Sequence, residues 1–383
     1  MRIILYNPHI DDFFYNPLIY KILGRRPLRK YGGVIDEIEN HYIYIDSTES
    51  SIIPFKYFYF FPRLLRKIFL FFEIFFWKRI NNKIKFIDRI KKDDVLLVMS
   101  YKTAHNMPKE RLINFEKFSK VIVHLSHYFV NTSHKSQNLK LINNVILAGD
   151  SDITENAYFQ NFFPWYNKEF LILSFALSTK WFSNLMVKMS DKKRLIATGT
   201  IHNLLLEKPE NYYKSYISFS GLNNYHPNRV IANEICTKYG ESSFVNFYRP
   251  SSSTKFSQFI NQFKVKQSNY FKVDLVKEYS SHKFAIVGEE FSGFPALGAF
   301  EAMACGAILL ADGSKYKGLG MIDGFNYIDT NNNLEDTVKE VFCFSDDKCQ
   351  QISKNAKDFV HSNFKAIVKS SHWKAIINKY LND

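Results

Sequence analysis

The sequence predicts an α/β protein with two Rossmann-like, doubly wound domains that face a cleft, and two observations lead to this prediction. Short apolar runs of strand type alternate with helix-like segments along most of the 383 residues, which is the pattern of parallel sheets flanked by helices. The length suits two domains of roughly 100–200 residues each. A composition of 46% hydrophobic and 23% charged residues excludes disorder as the main state.

The first half of the chain contains most of the strand-like runs. The predicted strands are residues 2–7, 42–46, 93–100, 121–127, 144–150 and 170–176. The run at 93–100 is continuously apolar after two aspartates, which is typical of a strand buried in a parallel sheet. Helices are predicted over 106–118 and 152–163.

The alternation pauses in a polar stretch and restarts in the second half. Strands are predicted at 194–201, 214–219, 243–247, 284–289 and 307–312, a helix at 295–305, and mostly helix from 334 to 381. We place an N-terminal domain at 1–185 and a C-terminal domain at 186–365. In such sheets ligands bind at the carboxyl ends of the strands.

The net charge of +14 is concentrated in residues 51–92. This window has eleven lysines and arginines against Glu73 and Asp88, and many of its other residues are phenylalanine. A basic helix rich in aromatic residues is typical of an element that lies in a membrane interface. The alternative is a buried helix with solvated charged ends. Nucleic-acid binding is a third interpretation of this basic window. The sequence contains no nucleic-acid-binding motif, so we predict no nucleic-acid partner.

The cysteines and the amino terminus indicate a reducing compartment. Cys236, Cys305, Cys343 and Cys349 form no CxxC pair, so neither a disulfide framework nor a zinc site is expected. The first residues read directly as a strand with no signal peptide, and no uncharged apolar run reaches the ~18 residues of a membrane span. We expect a cytoplasmic protein, peripheral at the inner face of the membrane.

Residues 287–312 are the most informative segment for function. They read as strand, glycine-containing loop, helix, glycine stop and strand, with Gly293 and Pro295 shaping the loop. The helix amino terminus presents unpaired N–H groups and suits a phosphate. Glu301 lies on the helix and could accept hydrogen bonds from ribose hydroxyls. The alternative is a solvated glutamate on a helix that only packs against the sheet.

This segment resembles the donor-site stretch of GT-B glycosyltransferases, the group typified by bacterial lipopolysaccharide and capsule enzymes. The match covers 293–306, where E-A-M-A-C-G begins at Glu301. The resemblance implies that Glu301 contacts the nucleotide ribose and that residues 366–383 form a terminal helix that crosses back to the N-terminal domain. It also implies donor contacts from the loop and helix start: Gly293, Phe294, Pro295, Ala296 and Leu297.

The sequence departs from the family pattern at two places. Many retaining members carry a second glutamate eight residues before the helix glutamate, and this chain has Gly293 at that position. Glu290 lies nearby and is the candidate catalytic residue. Whether the transfer retains or inverts the anomeric configuration stays open. The Arg and Lys that many members carry after the first strand of this domain are also missing. The donor-side candidates there are Thr198, Gly199, Thr200, His202 and, as a replacement cation, Arg229.

In the first domain His127, with His124, ends a predicted strand at the carboxyl edge. His127 is a candidate catalytic residue, and the alternative is a structural histidine. Gly32 and Gly33 are candidates for an acceptor-side loop, although an ordinary turn fits them equally. No DxD motif is present. We therefore expect a metal-independent site with no cofactor other than the nucleotide-sugar donor substrate.

These observations predict a glycosyltransferase that moves a sugar from a nucleotide-sugar donor to a lipid-linked or surface-glycan acceptor at the cytoplasmic membrane face. The alternative is a non-catalytic nucleotide- or carbohydrate-binding module on a GT-B scaffold. The sugar, the nucleotide base, the acceptor and the oligomeric state are not predicted.

Overall fold

A computed structural model describes the chain over a set of ranges separated by gaps. The described residues are 3–6, 30–37, 41–44, 85–87, 91, 94–98, 118–126, 128–182, 185, 187–201, 213–239, 273–331 and 333–382. The predicted helix at 106–118 (apart from its last residue), the predicted strand at 243–247 and most of the basic window 51–92 lie outside them.

The elements of the first 180 residues are short and mostly strands. In chain order they are β1 Ile3–Tyr6, α1 Gly32–Glu37, β2 His41–Tyr44, β3 Lys85–Ile87, β4 Val95–Val98, β5 Lys120–His124, α2 Thr132–Lys140, β6 Val145–Gly149, α3 Ala157–Phe162 and β7 Leu171–Ile172.

The remaining elements are mainly helices. They are β8 Lys193–Ala197, α4 Lys214–Ser220, α5 Pro227–Tyr239, α6 Leu275–Ser280, β9 His282–Ile286, α7 Leu297–Ala304, β10 Ile308–Ala311, β11 Ile328–Asp329, α8 Leu334–Val341, α9 Asp346–Asn363 and α10 Ala366–Asn382.

The chain folds into two compact units. Unit 1 comprises 1–150, 161–176 and 366–383, and unit 2 comprises 151–160 and 177–365. The sequence predicted domains at 1–185 and 186–365 with residues 366–383 crossing back to the first domain, and the two units divide the chain at four points. The closing helix α10 belongs to unit 1.

Unit 1 is built on a seven-stranded sheet in the order β3-β2-β1-β4-β5-β6-β7. Every pair of neighbouring strands is parallel. β4 and β6 are buried along their whole length, as expected for interior strands of a doubly wound sheet. Helix α10 packs on this unit through Trp373, which is fully buried and donates from Nε1 to the carbonyl of Ser174 at 2.8 Å.

Unit 2 contains a four-stranded sheet in the order β11-β10-β9-β8, also parallel throughout its described strands. Its core joins the strands to α5, α8 and α9 through side chains such as Ile235, Phe284, Leu310, Val338 and Ile352. The predicted α/β class with two parallel-sheet, Rossmann-like units is therefore confirmed.

One predicted strand is wrong. Residues 214–219 were predicted as a strand, but they form helix α4, which buries Tyr216 and leaves Phe219 37% exposed. The helix ends at Gly221, whose φ of 68° is a left-handed cap and whose N–H donates to the carbonyl of Ile217 at 2.9 Å. Within the described ranges, no helix is both long and apolar enough to cross a bilayer.

Candidate functional site

The candidate site is formed in unit 2 by the loops that follow β8 and β9 and by the start of α7. Carboxyl ends of parallel strands meet at one edge of a sheet, so these loops lie side by side. The predicted donor residues Thr198, Gly199 and Thr200 follow β8, and Glu290 and Gly293 follow β9. His202 lies outside the described residues.

Arg229, near the start of α5, joins the two loops. Its Nε donates to the carbonyl of Val287 at 2.9 Å, and its Nη1 donates to the carbonyl of Thr200 at 2.8 Å. Because these two groups bind backbone, the side chain holds the ends of β8 and β9 together. The predicted contact between Arg229 and donor phosphate stays a prediction.

Two glycines make room for Arg229. Gly199 and Gly288 have φ values of 130° and 69°, which favour glycine. A Cβ on Gly199 would lie 2.6 Å from Nε of Arg229, and one on Gly288 would lie 2.5 Å from its Cγ. The sequence did not identify Gly288, because nothing in the pattern showed that an arginine from another helix packs there.

Two buried glutamates follow Gly288. Glu289 is 4% exposed and accepts from the Tyr316 hydroxyl at 2.9 Å and, at 3.4 Å, from the Asn228 amide. Burial raises the pKa of this carboxyl above its usual range. Glu290 is 6% exposed and accepts from the Ser292 hydroxyl at 3.2 Å. Neither Tyr316 nor Asn228 was a predicted site residue, since both are distant from the loop in sequence.

The loop between Glu290 and Pro295 is tightly constrained by backbone hydrogen bonds. The Glu290 N–H donates to the Phe294 carbonyl at 3.1 Å, and the Gly293 N–H donates to the Glu290 carbonyl at 3.0 Å. Gly293 has a φ of 103°, and a Cβ there would lie 3.0 Å from Cγ2 of Ile153. Phe294, Pro295 and Ala296 are buried, so these predicted donor residues shape the loop chiefly through packing and backbone.

Helix α7 begins at Leu297. Its N-cap residue, Ala296, has an extended backbone and makes no side-chain capping hydrogen bond. Gly298 lets the first turn approach β9, because a Cβ there would lie 2.9 Å from Cγ1 of Val287. The same Cβ would lie 3.8 Å from Oε2 of Glu301. The half-buried Glu301 thus reaches back over the first turn of its own helix, the direction that helical side chains take.

The far end of α7 is fixed by hydrogen bonds to one carbonyl. Gly306, with a φ of 81°, ends the helix, and its carbonyl accepts from Lys192 Nζ at 2.6 Å and from the Ser353 hydroxyl at 2.7 Å. Burial raises the pKa of Cys305 to about 12, and Glu301 adds to the effect, so this thiol stays protonated near neutral pH.

A buried hydroxyl pair lies beside the β8 loop. Oγ1 of Thr198 and the hydroxyl of Tyr279 are 2.6 Å apart, and Tyr279 is also 3.5 Å from the position of a Gly298 Cβ. Thr198 and α7 are therefore linked through Tyr279. The described residues contain no group of three or more His, Cys, Asp or Glu side chains that could hold a metal ion.

The first-domain candidates have different environments. His127 lies outside the described residues. Gly32 and Gly33 are the first residues of helix α1, not a loop, and a Cβ on Gly33 would lie 3.3 Å from Cβ of Ala366. His124 is fully buried and contacts the carbonyl of Leu173 through Nε2 at 3.1 Å, which is the environment of a structural histidine.

Neither the comparison with protein-family models nor the one with curated proteins gives a match. Solved structures similar to the chain include sucrose-phosphate synthase from Thermosynechococcus elongatus, at 9% identity and a TM-score of 0.45, covering 100% of this chain and 99% of the other. Anabaena HepE in complex with UDP is similar at 12% identity and a TM-score of 0.47, covering 99% and 100%. A glycosyltransferase from Rickettsia africae is similar at 11% identity and a TM-score of 0.42, covering 100% and 98%. At these values the likenesses assign neither an activity nor a residue role to this chain.

Proposed function

We propose that the protein is a glycosyltransferase that transfers a sugar from a nucleotide-sugar donor to a glycan or lipid-linked acceptor. One observation carries the proposal: the segment that resembles the donor site of GT-B enzymes folds as strand, glycine loop and helix at the carboxyl edge of a parallel sheet. Its helix amino terminus has no side-chain cap, and its glutamate reaches back over that first turn.

Each part of this arrangement has a chemical use. The first N–H groups of α7 would bind the donor diphosphate, because a helix amino terminus favours negative charge. Glu301 would accept hydrogen bonds from the ribose hydroxyls, which is the role that the family resemblance gives it. The loop at Thr198–Thr200, held by Arg229, would line the same edge.

Glu290 is our candidate catalytic carboxylate, since it is buried in the loop next to the helix start. His127 is the candidate from unit 1. Stabilisation of the leaving diphosphate by helix amides needs no metal ion, and we propose metal-independent transfer of a hexosyl or related sugar.

The acceptor and the place of action follow from the charge of the chain. Eleven lysines and arginines between 51 and 92, among many phenylalanines, suit the anionic surface of a membrane. We therefore propose a lipid-linked or surface-glycan acceptor, as in lipopolysaccharide or capsule synthesis, and peripheral action at the cytoplasmic membrane face.

The decisive experiment compares Glu301→Ala with Glu340→Ala, a change at an exposed glutamate of the same unit. Loss of two charge-assisted hydrogen bonds to ribose should weaken nucleotide binding by about 3 kcal/mol, roughly 100-fold. Glu340→Ala should bind like the unaltered protein. Unchanged binding and turnover in Glu301→Ala would refute the proposal.

A donor screen by thermal shift with uridine, guanosine and cytidine sugar nucleotides would identify the base. A ligand at a hundredfold excess over its Kd stabilises the folded state by about 2.7 kcal/mol. Transfer or hydrolysis of the bound donor supports an enzyme. Binding with no turnover of any donor would instead support a non-catalytic binding module.

A further inference from the structure

A short segment from the first half of the chain contacts the loop that precedes α7. Residues 151–160, which we call the inserted segment, belong to unit 2, although the residues on either side of them belong to unit 1. They lie against residues 290–295, the glycine loop. The buried Ser151 donates from Oγ to the Gly293 carbonyl at 3.3 Å, and a Cβ on Gly293 would lie 3.0 Å from Cγ2 of Ile153. The inserted segment therefore forms one wall of the glycine loop.

The inserted segment is also fixed to the loop that follows β10. The Asp152 N–H donates to the carbonyl of Lys317 at 3.1 Å, and Lys317 Nζ forms an ion pair with Glu155 at 2.5 Å. Oδ1 of Asp152 accepts from the Thr154 N–H at 2.9 Å, which closes a local turn. The ion pair is largely exposed and adds little stability, so the backbone contact and the turn set the path of the segment toward Asn156.

Asn156 uses both ends of its side-chain amide. It precedes α3 as the N-cap residue, and its Oδ1 accepts from the N–H of Tyr158 at 3.0 Å and from that of Phe159 at 3.4 Å. Its Nδ2 donates to the carbonyl of Phe291 at 3.4 Å. The reverse orientation of the amide would place an NH2 group against two N–H donors. Because the amide is one rigid plane, the cap on α3 directs the NH2 group to the glycine loop.

Phe291 is held by other parts of unit 2 as well. Its N–H donates to the Tyr225 carbonyl at 2.9 Å. Its ring packs edge to face with the rings of Tyr158 and Tyr216, at centroid distances of 6.4 and 5.7 Å. Both backbone groups of Phe291 thus bind residues outside the loop. Since backbone hydrogen bonds close the loop from Glu290 onward, the place of Phe291 sets the place of Glu290 relative to α7.

We propose that Asn156 is a positioning residue for the glycine loop: through the Phe291 carbonyl it holds the loop in the conformation that places Glu290 beside the start of α7. Gly293 has no side chain on this side of the loop, and a Cβ there would lie 3.1 Å from Nδ2 of Asn156. The amide of Asn156 therefore fills the space that a side chain at 293 would need. The role in sugar transfer rests on the proposed function, whereas the hold on the loop does not.

Two variants separate the loop contact from the helix cap. Asn156→Asp and Asn156→Ser each keep an oxygen that caps α3, because Asp and Ser are N-cap residues as good as Asn. Neither has the NH2 group that donates to Phe291. Asn156→Ala loses both contacts. Ser345→Asp is the matched control, since it changes the N-cap residue of α9 in the same unit and adds the same charge as Asn156→Asp.

Amide hydrogen exchange of the full chain without ligand tests the hold on the loop. Asn156→Asp and Asn156→Ser should speed exchange of the Phe291 and Gly293 amides by roughly fivefold, as expected for the loss of one hydrogen bond. Exchange in the first turn of α3 should rise only in Asn156→Ala. Ser345→Asp should exchange like the unaltered protein in both regions. Unchanged exchange in the glycine loop of Asn156→Asp and Asn156→Ser overturns the proposal.

Steady-state kinetics with the donor found by the thermal-shift screen test the consequence for transfer. Glu301 on α7 would still hold the nucleotide, so Asn156→Asp and Asn156→Ser should keep the donor KM. Their kcat should fall by about tenfold or more, because a displaced loop misplaces Glu290. Ser345→Asp should change neither value.

The two readouts distinguish failure of this proposal from failure of the proposed function. Faster loop exchange with an unchanged kcat in both Asn156 variants overturns the positioning role. If the unaltered protein turns over no donor, the proposed function fails, and the exchange measurement alone decides whether Asn156 holds the loop. Lower kcat with faster exchange in the glycine loop and unchanged exchange in α3 supports the proposal.

Discussion

Glu289 makes the stability of unit 2 depend on pH. Its pKa is raised by burial, so below the unfolded pKa of about 4.3 the carboxyl is protonated in both states. As the pH rises from there through the folded pKa, the unfolded state ionises first and stability falls. Glu289→Gln should remove this fall. Denaturant unfolding of both proteins from pH 4 to 8 measures how the free energy of unfolding changes with pH, and Glu340→Gln is the control. If the free energies of Glu289→Gln and of the unaltered protein change in parallel with pH, the effect does not come from Glu289.

The packing of Arg229 on Gly288 can be tested against a glycine with nearly the same φ angle. Gly288 and Gly221 have φ values of 69° and 68°, but a Cβ on Gly221 meets nothing within 4 Å. Gly221→Ala should cost about 1 kcal/mol of stability from backbone strain, and Gly288→Ala about 1–3 kcal/mol more from overpacking. Unfolding by denaturant gives both values. Equal costs would show that Arg229 moves aside freely.

At the residue scale the sequence predicted the groups that one motif contains and missed those that folding brings to it. Glu301 and Gly293 could be predicted as site residues because they lie in one short segment. Tyr316, Asn228 and Tyr279 were not, since their contacts depend on the register of β8, β9 and β10. A hydroxyl 27 residues from its carboxylate leaves no local pattern.

Helix α10 packs on unit 1 partly through one large buried side chain, Trp373, whose indole donates a hydrogen bond to the carbonyl of Ser174. Trp373 is fully buried and lies 6.1 Å, centroid to centroid, from the ring of Tyr31. Trp373→Ala should destabilise the protein by about 3–5 kcal/mol. Lys379→Ala, on the exposed face of the same helix, should change stability by less than about 0.5 kcal/mol. Thermal and denaturant unfolding measure both changes, and equal effects would contradict this role for Trp373.

At the scale of elements, long periodic or continuously apolar segments were predictable, whereas a short segment of mixed polarity was not. The three closing helices lie within the predicted helical stretch, and β4 lies within the predicted buried strand. Residues 214–219 were read as a strand because six residues cannot separate a period of two from one of 3.6. The burial of Tyr216 and the cap at Gly221 determine the helix.

At the scale of the whole molecule the uneven charge predicts preferential binding to anionic membranes. Arg63→Gln, Arg66→Gln and Lys67→Gln combined should weaken binding to phosphatidylglycerol vesicles by about 3 kcal/mol, at roughly 1 kcal/mol per basic residue. The control removes three exposed lysines elsewhere, Lys348, Lys354 and Lys379. Vesicle co-sedimentation at low salt compares the two. Equal losses would assign the effect to total charge, not to residues 51–92.

The four passages of the chain between the units set the order in which the units are completed during synthesis. Unit 2 has all its residues once Lys365 has been made, whereas unit 1 still lacks α10. Until those last residues leave the ribosome, the surface that Trp373 covers stays open on a nascent chain whose other unit is already finished. Unit 1 is therefore completed after unit 2, although it contains the earlier segments of the chain.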